Sequence, residues 1–245
     1  MNLWLSLWCA VAVIETVTGE EIVPIGFILT CINFLAEKGT AENEQFKVIS
    51  NIWNSPTTVR LGDTHLESTE DDRFSQQIKI KHFKRHPQHT FRRKYHDIAL
   101  IELEEEAIYN DAICPACLWL EKSAPLEPMN AVGFGETSLL GNLSPTLQKV
   151  TLKELRRNDC ISRLPISNRT LPNGLMRTQI CAAGAHQDTC RIDYGAPILN
   201  NAGHENIPHI YGVVSTLRAP YQIQVIKSGR SPVVAEAEIK NSKYL

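Results

Sequence analysis

Apolar positions gather in short runs along the chain, set apart by Gly, Pro and charged residues. The first run, residues 3–14, lies in a segment from Met1 to about Gly19 that reads as a secretory signal peptide. It is too short to span a bilayer, and the small residues around Thr18 and Gly19 offer a cleavage site. Residues 22–36 form a second uncharged run. It falls short of the ~18 apolar residues a span needs, and Pro24 and Gly26 suit turns between buried strands. Residues 56–63 predict a strand and turn, 78–82 a strand, and 98–101 a buried strand. Residues 131–137 and 147–152 predict strand, glycine bend and strand. Residues 158–164 predict a short helix capped by Asn158 or Asp159, and 233–244 is a candidate C-terminal helix.

The 245 residues suffice for one larger all-β domain, and 43% hydrophobic with 21% charged residues is an ordinary globular balance. A net charge of −2 argues against nucleic-acid binding by the whole chain. Positive charge is local: Lys79, Lys81, Lys84, Arg85, Arg92, Arg93 and Lys94, with His82, His86, His89 and His96 among them. A solvated charged loop is the plainer account of this 79–94 patch; a sulfated glycan or other polyanion is the alternative partner. His86 and His89 have ligand chemistry, but no metal site and no cofactor is expected. Of the seven cysteines, Cys9 falls in the leader. Cys114 and Cys117 have a C-x-x-C outline without a second pair at zinc spacing, so a disulfide frame in an oxidising compartment is the better reading.

The chemistry concentrates between Asp188 and Pro197, which reads Asp-Thr-Cys-Arg-Ile-Asp-Tyr-Gly-Ala-Pro. This resembles the nucleophile loop of the trypsin-like, chymotrypsin-fold serine proteases, usually written Asp-Ser-Cys-x-Gly-Asp-Ser-Gly-Gly-Pro. Asp188, Cys190, Asp193, Gly195 and Pro197 match it. Tyr194 stands at the nucleophile position, and Ile192 replaces the glycine whose amide helps build the oxyanion hole. A tyrosine carries its oxygen on a rigid ring, too far out for serine's attack geometry. A β-branched residue resists the backbone approach that glycine permits, and loss of one oxyanion donor costs ~100- to 1000-fold in turnover.

Further segments are similar to the same family. Lys-Tyr-His-Asp-Ile-Ala-Leu at 94–100 resembles its Asp-Ile-Ala-Leu motif, which puts Asp97 at the triad acid. The histidine partner is missing: both candidate segments, 27–31 and 46–51, lack one, and the first histidine is His65. Without it Asp97 is a vestige. Glu21-Ile22-Val23-Pro24 offers no trypsin-type activation cleavage, so Asp193 loses its usual α-amino partner. Cys117 holds a position that usually bonds a light chain; Cys31, Cys114, another molecule or nothing are its options. The resemblance implies a Cys160–Cys181 bridge, leaves Cys190 unpartnered, and places Asp188 at the floor and Ser215 at the wall of the specificity pocket. Asn142 and Asn168 open glycosylation triplets if the chain is secreted.

The resemblance covers about residues 56–216 within a trypsin-like domain drawn over 20–245, and is nearest to the arthropod clip-type branch. It implies two packed antiparallel six-stranded β-barrels, the first incomplete, without a membrane span. It also implies a secreted, inactive protease homologue that binds extracellular proteins: a protease, a protease substrate or an inhibitor. The alternative is an active endopeptidase of Arg/Lys specificity, which requires either a misassembled sequence, with stretches 20–50 and 217–245 the irregular ones, or a stand-in nucleophile such as Thr189. A third reading is a chain that does not fold stably.

Overall fold

The computed structural model describes residues 25–30, 57–90, 93–114, 116–121, 123–125, 129–134, 144–163, 169–184, 196–200, 209–218 and 222–227. For 25–30, 117, 163, 216–218 and 222–227 it describes the backbone alone. The signal segment, the candidate helix at 233–244 and the asparagines of both glycosylation triplets, Asn142 and Asn168, lie outside these residues.

The first unit is a four-stranded antiparallel sheet in the order β1-β4-β3-β2. Its strands are β1 (Ile25–Thr30), β2 (Thr58–Leu61), β3 (Gln76–Arg85) and β4 (Ala99–Ala107). Alternation drives it. Val59 and Leu61 of β2, Ile78 of β3, and Ile101 and Leu103 of β4 point into one core with Ile113. Full burial of each large aliphatic side chain contributes about 1.5–3 kcal/mol. β3 and β4 outrun the expected strands, 78–82 and 98–101. The hydrophobic signal of β4 ends at Leu103, yet Glu104–Glu106 continue the strand in solvent because Ala107 still pairs with Ile25. Gly26 is not a turn residue. It sits inside β1, opposite the stretch of β4 between Glu102 and Ala107 where the register shifts and the extra residues bulge from β4.

The second unit closes on itself. β6 (Met129–Gly133), β7 (Gln148–Glu154), β8 (Gln179–Gly184), β11 (Gln222–Lys227), β10 (His209–Arg218) and β9 (Pro197–Asn200) pair in that order. β9 then pairs with β6, so the ring is complete. A short β5 (Cys117–Leu118) adds to β10 in parallel. Met129, Ala131, Leu152, Ile180, Ile198, Tyr211 and Val214 fill the interior. Tyr211 is 1% exposed, and its hydroxyl donates to Glu154 at 2.8 Å. Burial, then the hydrogen bond to the neighbouring carboxylate, pushes the phenol well above its usual pKa.

Among the described residues one α-helix, α1 (Arg157–Arg163), packs on β8. It starts earlier than Asn158 or Asp159 as a cap would require. The Cys160 amide already donates to the Arg156 carbonyl at 2.9 Å, so both residues fall in the first turn. The Asp159 carboxylate there opposes the positive end of the helix dipole. Cys160 and Cys181 are disulfide-bonded, Cα to Cα 5.8 Å, against Leu171 and Leu175. Cys114 is an exposed thiol outside any disulfide, which removes it from the options for Cys117. Among the described residues no helix is long and apolar enough to cross a membrane.

Candidate functional site

Among the described residues, two seams join the units. At one, His65 bridges Thr146, the Leu66 amide donates to the Pro145 carbonyl at 2.8 Å, and the Leu147 amide donates to that of Thr64 at 2.9 Å. At the other, the segment running into β4 lies along the second unit. The Lys94 amide donates to the Thr170 carbonyl at 3.0 Å, and Gln179 Nε2 donates to the Lys94 carbonyl at 2.5 Å. The Tyr95 hydroxyl donates to the Gly174 carbonyl at 2.8 Å and accepts from the Asn173 amide at 2.9 Å.

This second seam delivers Asp97. His96 holds a positive φ of 55°, a conformation costly for most side chains, and the Ile98 amide closes back on the His96 carbonyl at 2.9 Å. The resulting tight turn centres on Asp97 and sends its carboxylate inward. Asp97 is fully buried, as is Ser215 of β10. Ser215 Oγ donates to Asp97 Oδ2 at 2.5 Å. A buried carboxylate demands such donors, and this one comes from the opposite unit. The Ser215 hydroxyl is shut off from solvent and engaged by Asp97, so it is a structural donor rather than an open nucleophile.

Of the site residues singled out in the sequence, Asp97 and Ser215 meet, and Cys160 and Cys181 are joined to each other by a disulfide. Tyr194, Ile192, Asp188, Asp193 and Cys190 fall outside the described residues, as do Cys31 and the side chain of Cys117. The sequence reading put Ser215 on a pocket wall and missed its bond to Asp97. A serine and an aspartate 118 positions apart carry no local signal of contact.

The basic patch divides on folding. Lys81 and Lys84 both reach Glu102, at 3.1 and 2.9 Å. A register shift between Ile80 and His82 lets β3 aim both lysines at one carboxylate. Burial alone would raise the Glu102 pKa; the two ammonium groups outweigh it and bring it down to about 2. Arg93 Nη1 donates to the Arg169 carbonyl at 3.3 Å, and Lys79 is exposed; Arg92 is outside the described residues. His86 is buried and its ring stacks on His96, centroids 4.4 Å apart and planes 20° apart. Among the described residues no cluster of three or more His, Cys, Asp or Glu side chains suits a metal ion.

The trypsin family model matches residues 47–234. Similar proteins of curated description include serine protease Hayan of Drosophila melanogaster, 30% identical over 178 residues, covering 69% of this chain and 27% of that protein. Serine protease snk of the same fly is 34% identical over 145 residues, 58% of this chain and 33% of that protein. CLIP domain-containing serine protease C9 of Anopheles gambiae is 32% identical over 165 residues, 62% of this chain and 46% of that protein. The chain thus matches between about a quarter and a half of the length of these relatives.

Proposed function

The chain belongs to the trypsin family, and from that membership we propose that it is a secreted, catalytically silent member that acts by binding extracellular proteins. The observation that carries this reading is Tyr194 at the nucleophile position of a loop that otherwise keeps the family frame. Three further features agree with it. No histidine precedes His65, so the family's general base is missing. Ile192 withdraws the flexible oxyanion amide. The Glu21-Ile22-Val23-Pro24 stretch lacks an Arg or Lys for activation cleavage.

Acyl transfer in this family needs a small hydroxyl, a base beside it and donors for the oxyanion, all within hydrogen-bond reach. Asp97 is the surviving member of that set. In this reading its carboxylate orients nothing; bonded to Ser215, it holds the two units in the arrangement that a working member would use. A protein of this shape, deprived of chemistry, still presents a family-like surface to proteases, their substrates and their inhibitors. Regulation of a proteolytic cascade by occupancy is the role that follows. A protein partner suits it better than a polyanion, because Glu102 already engages Lys81 and Lys84.

The test uses the full chain secreted from insect cells. It is incubated with a fluorophosphonate probe and with Arg- and Lys-terminated peptide substrates, beside an active protease control. No labelling and no turnover are expected, together with a changed cleavage rate when the chain is added to an active insect serine protease and its protein substrate. Covalent labelling or hydrolysis would instead make it a working Arg/Lys endopeptidase. Unchanged cleavage at saturating chain would remove the regulatory role.

A further inference from the structure

The segments leaving β3 and entering β4 carry three imidazoles that the functional reading leaves unused. His86 is 5% exposed, and its amide donates to the Ile98 carbonyl at 3.1 Å at the base of β4. Its Nδ1 accepts from the Gln88 amide at 3.1 Å, which fixes the proton of the neutral ring on Nε2. Its face lies on His96, the residue held at positive φ immediately before Asp97. His89 donates from Nδ1 to the Tyr95 carbonyl at 3.0 Å, and its amide donates to the His86 carbonyl at 3.0 Å. The three rings therefore hold the turn that delivers Asp97 to Ser215.

We infer that the stacked His86–His96 pair is an acid-sensitive latch on the seam between the two units. The inference does not rest on whether the chain is catalytic. A second proton on His86 must go to Nδ1, where it would face the Gln88 N–H and abolish that bond. The cation would be nearly shut off from water and pressed against a second ring 4.4 Å away. Among the described residues, the charges acting on His86 are those of His96 and His89. The segment entering β4 presents the Ile98 carbonyl to its amide, Arg85 at the end of β3 precedes it, and Asp97, beyond His96, has its carboxylate at Ser215. Burial first, then His96 and His89, hold the His86 pKa down to about 4, and burial with His89 lowers that of His96.

The direction follows from linkage. A ring lowered from 6.5 to about 4 stabilises the closed turn above pH 6.5, and this contribution is lost as pH falls toward 4. An opened turn, with an ordinary imidazole, binds the proton that the closed one refuses. Once the stack parts, nothing from His86 holds His96 at positive φ, and the Lys94, Tyr95 and Asp97 contacts to the second unit loosen with it.

Histidine ring NMR of the full chain from pH 7.5 to 4 is measured beside amide hydrogen exchange of residues 93–98, corrected for the intrinsic pH dependence of exchange. His86 is expected to stay neutral well below pH 6.5, and the opening equilibrium of 93–98 to rise about a hundredfold by pH 4. His86→Phe should keep a ring on His96 and abolish the rise. His96→Asn, which accepts positive φ, should move the His86 titration up toward its ordinary value. Should His86→Phe not fold, the wild-type titration and His96→Asn decide alone. His86 titrating near 6.5 in the wild type, an unchanged titration in His96→Asn, or the same rise in a folded His86→Phe would overturn the latch.

Discussion

Ser215 gives its hydroxyl hydrogen to a carboxylate that water does not reach. Ser215→Ala leaves Asp97 one donor short, and loss of a hydrogen bond to a buried charged group costs about 1.5–3 kcal/mol. The expected result is a matching fall in unfolding free energy, read from the urea midpoint at constant m-value. Glu102 makes a different prediction, because its pKa is depressed. Its pairing with Lys84 and Lys81 stabilises the fold fully above the ordinary carboxylate value of 4.5 and is lost as pH falls through 4.5 toward 2. Glu102→Gln should therefore lower stability at pH 7 and flatten the acid limb between pH 5 and 2, measured by thermal melts across that range. An acid limb unchanged in the variant would show that other carboxylates set it. The same ion triad explains why a run of basic residues in the sequence is less positive on the folded surface.

At the scale of elements, the link from β2 into the loop that holds Arg60 against Asp63 and Asp72 depends on one glycine. Gly62 has φ +75°, and a Cβ there would stand 2.6 Å from the Phe74 carbonyl oxygen and 2.9 Å from Ile113 Cγ1. The carbonyl belongs to backbone and Ile113 to the first core, so neither yields cheaply. Gly62→Ala is expected to cost about 2–4 kcal/mol, combining left-handed strain with overpacking. Gly174 has a similar φ of +69° but open space around it. Gly174→Ala should cost only the conformational part, about 1–2 kcal/mol. Chemical denaturation of the pair checks the difference; equal losses would mean that the contact with Phe74 and Ile113 carries no weight.

For the whole molecule, the working parts of a serine protease come from separate stretches that only packing unites. Asp97 enters at the start of β4 in the first unit, while Tyr194 precedes β9 in the second. Restoring one part should therefore not restore function. Under the proposed reading, in which the family's general base is missing, Tyr194→Ser is expected to show no turnover of Arg or Lys substrates above the parent chain, because a serine there would lack its proton acceptor. Turnover in that variant would mean that another group, from either unit, serves as base. The seams give this scale its mechanical meaning: the units meet through backbone bonds at 64–66 with 145–147, and through side chains around Lys94, Tyr95 and Asp97.

The class of fold and the family are legible in the chain before it folds, because short apolar runs, turn residues and ordered motifs are written locally. The sequence also supplied the Cys160–Cys181 pairing through the resemblance, and the structure joins those two residues. It placed strand centres well and strand ends poorly. Ends depend on partners, as Ile25 does for Ala107, and a helix start depends on which carbonyl accepts first, as Arg156 does for Cys160. Folding alone sets what meets Asp97, how Lys81 and Lys84 come to share Glu102, and that His86 lies flat on His96. A side chain's chemical type is fixed by the residue. Its partner, its burial and therefore its charge state are fixed by surfaces that the chain brings together only when both units close.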